Sequence, residues 1–593
     1  MYKAPVEDIA FTLNHVAGLA DAIAAGKLGD LGADLVEAIL DEAGRFATNE
    51  MAPLGEIGDR QGARLQDGVV TTPDGWADLY RSWREGGWNG LTGPEAYGGQ
   101  GLPHMLNVAA LEMWNSSSMA FALAPTLTMG AIEALDKHGS EALKARYLEK
   151  LVSGEWTGTM NLTEPHAGSD LGVLKTRAER SDDGSYRIFG QKIYITWGEH
   201  DAADNIIHLV LARLPDAPAG TRGISLFLVP KFLVEEDGAI GARNDVFCHS
   251  IEHKLGIHGS PTCTMIYGDG KFGDEKGAIG WLIGEENKGL ACMFTMMNNA
   301  RLAVGMQGVA IAEAATQKAV AFARERTQGK APGWTGAGMS PIIEHPDVAR
   351  MLLTMTALTQ GSRAICYACA HAIDMAHRTE GNEARMWTER AALLTPIAKS
   401  FATDAGVDVA SLGIQVHGGM GFIEETGAAR LLRDARIAPI YEGTNGIQAI
   451  DLVARKLPLS GGAQVSGFIG ELRTIADRVA SAADAGLGET AQRLKASIDE
   501  LEAATQWLLK AQAEGQVAEA LAGATPYQRL FGLVLTGAYL AKGALAKVDD
   551  GRTDRRIALC RFAAENLLPE TAALKRQVVE GAESLAAARI VLA

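Results

Sequence analysis

Apolar residues recur every three and four positions along much of the first 150 residues. The spacing is clear at residues 31–40 and again at residues 105–113, and it is the period of an amphipathic helix. From about residue 158 to residue 280 the pattern changes to short apolar runs separated by Gly, Asp and Pro, which predicts a β domain. After Trp281 the helical spacing returns. The pattern therefore predicts a mainly α protein with a central β domain.

The same pattern predicts individual elements and four domains. The predicted strands are residues 186–189, 192–196, 206–212 and 224–229, and the predicted helices after Trp281 are residues 291–326, 347–377, 387–412 and 444–456. Residues 457–462 (LPLSGG) form a predicted linker. The predicted domains are an N-terminal helical domain (1–157), the β domain (158–280), a helical bundle (281–457) and an extra C-terminal helical domain (463–593).

Composition and charge narrow the class of protein. The chain has 593 residues, of which 47% are hydrophobic and 21% charged, so several packed domains are expected. A net charge of -17 argues against broad nucleic-acid binding, which needs clustered Lys and Arg. The longest uncharged apolar run, about residues 530–541, is too short for a membrane span, and residues 1–8 lack the features of a signal peptide. We therefore expect a cytoplasmic protein without a membrane span.

Six cysteines in so long a chain do not make a disulfide framework. Cys366 and Cys369 have the spacing of a redox or metal pair, but they lie in an Ala-rich segment with a helical pattern, and no second pair stands at zinc-site spacing. Buried structural thiols are the favoured interpretation. No metal site is expected.

Five short motifs follow one another in a distinctive order. A glycine-rich turn occupies residues 93–101 (GPEAYGGQG), residues 163–170 read TEPHAGSD, residues 192–196 read KIYIT, residues 415–419 read QVHGG, and residues 441–444 read YEGT. Together they resemble the acyl-CoA dehydrogenase family of flavoproteins. The resemblance implies that family's fold, namely a helical domain, a β-barrel-like domain and a helical bundle. It also implies FAD as cofactor and an acyl-CoA substrate.

Glu442 is the predicted catalytic base. Oxidation of an acyl chain at its α and β carbons removes a proton and a hydride, and no side chain accepts a hydride, so a cofactor is required. No Gly-x-Gly-x-x-Gly stands between a predicted strand and helix, so a Rossmann-type nicotinamide site is unsupported. A carboxylate in a closed apolar pocket has a raised pKa, as a general base needs. The alternative is an ordinary glutamate entering a helix that Thr444 caps.

The resemblance also implies roles for the other motif residues. The implied cofactor-binding residues are Leu162, Thr163, Tyr194, Thr196, Arg326, Gln415, Gly418, Gly419 and Thr444, and the implied substrate-binding residues are Ser169, Arg301 and Gly443. Strand alternation places Tyr194 and Thr196 on one face, which suits a hydrogen bond from Thr196 near the flavin N5. Each motif has a plainer alternative: a turn at residues 163–170, a half-buried hairpin strand at 192–196, a helix break at 418–419 and a solvated helix position for Arg301.

The extra C-terminal domain resembles a large bacterial subgroup of this family, for which 3-methylmercaptopropionyl-CoA is one substrate. The resemblance implies a homodimer, a short or medium acyl-CoA, and an electron-transfer flavoprotein as the electron acceptor. An acyl-CoA oxidase, which reoxidises its flavin with oxygen, shares the fold and the base. A DNA-associated flavoprotein of the same fold, or a CoA-binding paralogue without turnover, is an alternative of a different class, although Glu442 and the negative net charge count against it.

Overall fold

The structure is a computed structural model, and it describes residues 2–273, 276–482 and 484–592, without the side chain of Asn298. The chain forms two compact units. The first consists of Met1–Ala47, His104–Ser116 and Arg301–Ala593, and the second of Thr48–Pro103 and Ser117–Ala300. The first unit is helical and the second contains the β-sheet, so the structure confirms a mainly α protein with a central β domain. The division into four domains stays a prediction.

The α-helices, in chain order, are α1 Val6–Phe11, α2 Leu19–Ala24, α3 Ala33–Phe46, α4 Ala52–Gln61, α5 Trp76–Glu85, α6 His104–His138, α7 Glu141–Val152, α8 Gly289–Glu325, α9 Pro346–Arg378, α10 Gly381–His417, α11 Ala428–Ala435, α12 Asn445–Asp451, α13 Ala463–Ser481, α14 Thr490–Ala513, α15 Val517–Ala522, α16 Ala524–Ala544, α17 Thr553–Asn566 and α18 Glu570–Ala588. The strands are β1 Arg64–Gln66, β2 Val69–Thr71, β3 Trp156–Asn161, β4 Arg177–Arg180, β5 Tyr186–Thr196, β6 Asn205–Ala212, β7 Ser225–Pro230, β8 Phe232–Val234, β9 Ile240–Arg243, β10 Val246–Ile251, β11 Thr262–Tyr267 and β12 Ala278–Ile283.

The second unit is built around an eight-stranded sheet. Seven strands lie in the order β10-β11-β5-β12-β7-β6-β3, and β4 pairs with β5. Only the β3–β6 pair of this sheet is parallel among the described residues. Every residue of β3, β6 and β7 is buried, which explains why β6 and β7 appear in the sequence as near-continuous apolar runs. A two-stranded hairpin, β1–β2, also lies in this unit, within the region predicted to be mostly helical.

The predicted strands 186–189 and 192–196 are wrong as separate elements, because β5 runs through both. Gly190 has a φ of +150°, but it does not turn the chain, since it lies within β5 and pairs with Tyr267 of β11. The simple alternation predicted for Tyr194 and Thr196 is also wrong. The register between β5 and β11 shifts between Lys192 and Ile195, and Tyr194 has a φ of +60°. A β-bulge therefore interrupts the strand, and bulges re-aim side chains.

The helices predicted after Trp281 are confirmed, with bounds that differ from the prediction by up to six residues. Residues 291–326, 347–377 and 387–412 correspond to α8, α9 and α10. The predicted helix 444–456 is α12, which continues as a π-helix, Leu452–Lys456. The predicted linker contains a short 3-10 turn, Leu459–Gly462. The apolar run 530–541 lies in α16, whose side chains there are all buried, so a core helix explains its composition.

Two glycines allow α16 to pack closely within the first unit. A Cβ atom on Gly532 would lie 2.1 Å from the ring of Phe401 in α10, and one on Gly361 in α9 would lie 2.4 Å from Thr536. Such distances are too short for any side chain. The C-terminal helices are thus part of the core of this unit. Cys366 and Cys369 are buried and free, which confirms them as structural thiols.

One helix, α6, is long and apolar enough to cross a membrane, but 89% of its most apolar stretch is buried inside the protein. A core helix passes the same test of length and composition. In the residues that the structure describes, no cluster of three or more His, Cys, Asp or Glu side chains could hold a metal ion.

Candidate active site

Glu442 lies on a tight turn at the start of α12, in the first unit. Its φ is +55° and that of Gly443 is +83°, so two successive residues adopt the left-handed region. Thr444 is the N-cap of α12, and its hydroxyl accepts a hydrogen bond of 3.2 Å from the N–H of Ile447. The amide of Gln448 donates to the carbonyl of Glu442 at 3.2 Å. The cap and this bond fix the turn that presents Glu442.

Glu442 is half-buried, and its carboxylate and backbone N–H have no partner among the described residues. Burial raises the pKa of Glu442, while the charges of Arg301 and Lys399 lower it. A carboxylate of raised pKa without a hydrogen-bond donor is suited to accept a proton. The N–H beside it is free to bind a developing negative charge.

Lys399, on α10, supports this turn from the protein interior. Its side chain is fully buried, and its ammonium donates to the carbonyl of Gly443 at 2.9 Å and to the Oδ1 atom of Asn445 at 2.8 Å. Burial lowers the pKa of Lys399 to about 8, although Glu442 acts to raise it. Sequence reasoning missed this residue. Its position 43 residues before Glu442 carries no local signal, and only helix packing brings it to the turn.

Arg301, on α8, is the second cation near Glu442. It is 9% exposed, which is incompatible with the solvated helix position considered as its alternative. Its guanidinium lies 3.7 Å from the carboxylate of Asp451, which also contacts Arg455 and Lys456. Burial lowers the pKa of Arg301, whereas the charges of Asp451 and Glu442 raise it. The buried Nε atom of Arg301 has no hydrogen-bond partner among the residues that the structure describes.

In the second unit, the two predicted flavin motifs lie side by side. The N–H of Ile193 in β5 donates to the carbonyl of Thr163 at 2.9 Å, and the ammonium of Lys192 donates to the carbonyl of Leu162 at 2.9 Å. The hydroxyl of Thr159 in β3 donates to the carbonyl of Thr196 at 2.9 Å. Leu162 and Thr163 are therefore held beside the strand that carries Tyr194 and Thr196.

A buried ion pair fixes this junction. The ammonium of Lys192 lies 2.9 Å from the carboxylate of Glu164, and the two side chains are 0% and 3% exposed. Glu164 also accepts hydrogen bonds from the N–H groups of Lys175 and Thr176, at 2.6 and 3.0 Å. Sequence reasoning quoted both residues within their motifs but assigned neither this role. Removal of one partner would leave a buried charge uncompensated.

The side chains near the bulge are available to a ligand. Tyr194 is 59% exposed, and Leu162, Thr163 and Thr196 are half-buried. In the described part of the chain, the hydroxyl groups of Thr163 and Thr196 have no hydrogen-bond partner. Ser169 is exposed on the loop that follows. The exposed ring of Tyr194 can stack on a planar heterocycle, and the hydroxyls of Thr163 and Thr196 can hydrogen-bond to polar atoms at its edge.

Arg326, Gln415, Gly418 and Gly419 lie at one end of the helices of the first unit. Arg326 follows α8 directly, and its guanidinium donates to Gln328 at 3.1 Å. The rings of Phe322 in α8 and His417 in α10 are stacked at 4.5 Å, which holds the two helix ends together. Gln415 and His417 belong to α10, so the motif at residues 415–419 spans the end of this helix rather than a loop.

This end of the unit is open. Arg326, Gln415, Gly418 and Gly419 are exposed, and nothing lies within 4 Å of a Cβ placed on either glycine. Gly418 ends α10 with a φ of +60°, a backbone conformation that costs little free energy only for glycine. Met420 and Phe422, in the 3-10 segment Gly418–Phe422, are 52% and 84% exposed. A partner or ligand has free access to these residues.

Comparison with protein families gives four successive matches. The acyl-CoA dehydrogenase N-terminal domain matches residues 34–155, the middle domain residues 159–269 and the C-terminal domain residues 287–457. A further domain, described as acetyl-CoA dehydrogenase C-terminal like, matches residues 468–589. The matches therefore cover most of the chain, including the segments of all the motifs.

Curated relatives match over nearly the whole length. The 3-methylmercaptopropionyl-CoA dehydrogenase of Ruegeria pomeroyi is 45% identical, with 99% of this chain and 100% of the relative covered. A butyryl-CoA dehydrogenase of Syntrophomonas wolfei is 35% identical, with 91% and 90% covered. The broad-specificity linear acyl-CoA dehydrogenase FadE5 of Mycobacterium tuberculosis is 31% identical, with 98% and 97% covered.

Solved structures share the fold, including the C-terminal region. Caenorhabditis elegans ACDH-11, solved in complex with C11-CoA, gives a TM-score of 0.78 at 22% identity and covers 98% of this chain and 95% of its own. An acyl-CoA dehydrogenase from Bacillus anthracis, complexed with FAD, gives 0.74 at 21% identity, with 95% and 92% covered. At these identities the likeness is evidence for the fold alone.

Proposed function

This chain belongs to the acyl-CoA dehydrogenase family, and from that premise we propose that it oxidises an acyl-CoA thioester to the trans-2-enoyl-CoA with FAD as cofactor. The observation that carries the proposal is the environment of Glu442. Its carboxylate is half-buried, its pKa is raised by burial, and no hydrogen bond from a described residue engages it. Glu442 removes the proton from the α carbon of the substrate.

The chain's own residues support carbonyl activation beside this base. Negative charge develops on the thioester oxygen as the α proton leaves, and the N–H of Glu442 is a free donor for it. Gly443 permits the turn that presents this N–H, because a Cβ on residue 443 would lie 2.7 Å from the amide nitrogen of Gln448. Ser169 and Arg301 are the proposed contacts to the rest of the substrate.

The residues of the second unit fit a flavin. Bound FAD supplies the hydride acceptor that no side chain provides. Leu162, Thr163, Tyr194 and Thr196 combine apolar contact, an exposed aromatic ring and two free hydroxyls on neighbouring backbone segments. Thr196 is the proposed hydrogen-bond donor near N5, and Thr444 belongs with the cofactor contacts by the family pattern. The hydroxyl of Thr196, which bonds no described residue, supports its assignment.

A short or medium acyl-CoA is the proposed substrate class, with 3-methylmercaptopropionyl-CoA as the leading candidate. The support is the 45% identity to an enzyme named for that substrate, and the 35% identity to a butyryl-CoA dehydrogenase. An electron-transfer flavoprotein is the proposed acceptor of the electrons. A homodimer is the proposed assembly, with Arg326, Gln415, Gly418 and Gly419 of each subunit contacting the FAD of its partner.

A panel of acyl-CoA thioesters tests this proposal. FAD-loaded protein is mixed anaerobically with propionyl-, butyryl-, 3-methylmercaptopropionyl-, octanoyl- and palmitoyl-CoA, and bleaching of the flavin absorbance is followed. The short-chain and thioether substrates are expected to reduce the flavin fastest and to yield the 2-enoyl-CoA. A clear maximum at palmitoyl-CoA would refute the substrate class, and no bleaching by any thioester would refute the activity.

The same panel in air separates a dehydrogenase from an oxidase. A dehydrogenase turns over slowly until an electron-transfer flavoprotein or an artificial acceptor is added. Hydrogen peroxide formed in equal amounts with the enoyl-CoA would instead identify an acyl-CoA oxidase.

A further inference from the structure

Behind Glu442 the structure places a buried cation whose charge is not neutralised by any ion pair. Lys399 is 0% exposed, and its two hydrogen-bond partners, the carbonyl of Gly443 and the side-chain oxygen of Asn445, are both neutral. In the described residues no carboxylate lies within ion-pair distance of its ammonium. A buried charge without a counter-charge costs free energy. A functional role for Lys399 would account for this cost.

The nearest carboxylates differ in what already engages them. Asp404, one turn along α10, accepts a hydrogen bond of 2.7 Å from the Nδ2 atom of Asn445, so Asn445 stands between it and Lys399. Asp451 is surrounded by Arg301, Arg455 and Lys456. Among these three, only the carboxylate of Glu442 has no hydrogen bond or ion pair with a described residue. It is therefore the carboxylate on which the charge of Lys399 acts most, with Asp404 second.

Arg301 is the other cation beside Glu442, but its charge is shared. Its guanidinium pairs with Asp451. The turn itself contributes Tyr441, whose hydroxyl donates to Gln307 and which stays neutral because burial raises its pKa. The described cations that act on Glu442 are thus Arg301, which is ion-paired with Asp451, and Lys399, which forms no ion pair with a described residue.

We infer that Lys399 is a positioning residue for the reaction, in two linked ways. Its two hydrogen bonds hold the turn that presents Glu442, and its charge keeps the carboxylate of Glu442 ionised when substrate excludes water from it. Asn445 orients the ammonium, because its other hydrogen bonds, to Ser400, Thr403 and Asp404, fix its amide. The inference rests on the proposed function of Glu442 and adds a residue outside the recognised motifs.

The pH dependence of flavin reduction tests the charge. Lys399→Gln keeps a hydrogen-bond donor of similar reach and removes the charge, whereas Lys399→Arg keeps the charge. Each FAD-loaded variant is mixed anaerobically with saturating butyryl-CoA between pH 5 and 10, and the rate of bleaching is recorded. Loss of a nearby cation disfavours the carboxylate form, so the midpoint of the activating ionisation in Lys399→Gln is expected to rise by about one pH unit or more.

Lys399→Arg is expected to retain the wild-type midpoint, even if its rate is lower. Arg301→Gln serves as the comparison, and its midpoint is expected to rise as well, because the charge of Arg301 also lowers the pKa of Glu442. A wild-type midpoint in Lys399→Gln would overturn the inference and leave Lys399 a structural anchor only. FAD content and thermal unfolding, measured on the same samples, exclude a general loss of structure.

If Lys399→Gln gives no FAD-loaded protein, Lys399→Ala is assayed with and without ethylammonium. The added amine is expected to shift its midpoint back towards that of the wild type, and no response to the amine would overturn the inference. If the proposed function itself is wrong, the result is different: no acyl-CoA bleaches the flavin of the wild-type protein at any pH.

Discussion

At the scale of single residues, backbone conformation presents Glu442, the proposed catalytic base. Glu442 has a positive φ of 55°, a conformation that is costly for a residue with a side chain and that clusters at functional sites. Gly443 follows with a φ of +83°. Glu442 and Gly443 turn the chain and leave the N–H of Glu442 without a partner among the described residues. Thr444 then caps α12.

Gly443→Ala tests this geometry. The new Cβ would occupy a left-handed conformation, at a cost of about 1–2 kcal/mol, and would lie 2.7 Å from the amide of Gln448. The turn must shift, and a displacement of about 1 Å at a reacting group can reduce a rate roughly a hundredfold. We expect flavin reduction to slow at least tenfold, measured by anaerobic stopped-flow, while FAD stays bound.

Gly446→Ala is the matched control for this change. Its Cβ would meet nothing closer than 3.8 Å, and its φ is not positive. A rate near that of the wild type is expected for it. Equal rates for Gly443→Ala and the wild type would show that the turn does not need its left-handed glycine.

The sequence identified the residues of short motifs better than the residues that support them. Glu442, Thr444 and Gly443 stand in one tetrapeptide, and the local role of Thr444 as N-cap was predictable from residue type. Lys399 and the partners Glu164 and Lys192 were not predicted in their roles. Each contact joins residues far apart in the chain, 44 residues for Lys399 with Gly443 and 28 for Lys192 with Glu164.

At the scale of elements, the helices followed their apolar periodicity and the strands were harder to delimit. Helix α9 was predicted within a residue at each end, since Pro346 fixes its start. Strand β5 was split in the prediction because Gly190 and Gln191 suggested a turn. The bulge at Tyr194 depends on pairing with β11, which the sequence of β5 alone does not contain.

Gly532→Ala tests whether α16 belongs to the core of its unit. Its Cβ would lie 2.1 Å from the Phe401 ring, so α16 and α10 must move apart. Overpacking of this kind costs about 1–3 kcal/mol, and a lower urea midpoint of unfolding is expected. Gly581→Ala, in α18, meets nothing within 4 Å and should gain up to about 1 kcal/mol. Equal midpoints for the two variants would contradict the close packing of α16.

At the scale of the whole molecule, the four predicted regions are grouped into two compact units. The N-terminal 47 residues and the C-terminal helices share a unit with the helical bundle, which the linear pattern does not indicate. The order of helices, sheet and helices was predictable, because periodicity changes at each boundary. Which segments pack together was not, since that depends on contacts such as Gly532 with Phe401.

The oligomeric state is the prediction that belongs to this scale. The exposed Arg326, Gly418 and Gly419 lie at one end of the first unit, and a homodimer with isologous contacts would complete two identical sites. Obligate interfaces bury more than about 2,000 Å². Light scattering of the FAD-loaded protein is expected to give a dimeric mass, and Arg326→Ala to lower FAD content without changing the thermal midpoint.

Two results would contradict this assembly. A monomeric mass with full FAD occupancy would refute a cofactor site shared between subunits. A tetrameric mass would refute the proposed homodimer.

The most direct test of the central claim is the rate of anaerobic flavin reduction in Glu442→Gln. The change keeps the shape and removes the proton acceptor, so FAD content and acyl-CoA binding should persist while the rate falls by at least about a hundredfold. Glu519→Gln, at an exposed position of α15, should reduce its flavin at the wild-type rate. Near wild-type bleaching in Glu442→Gln would contradict the assignment of Glu442 as the base.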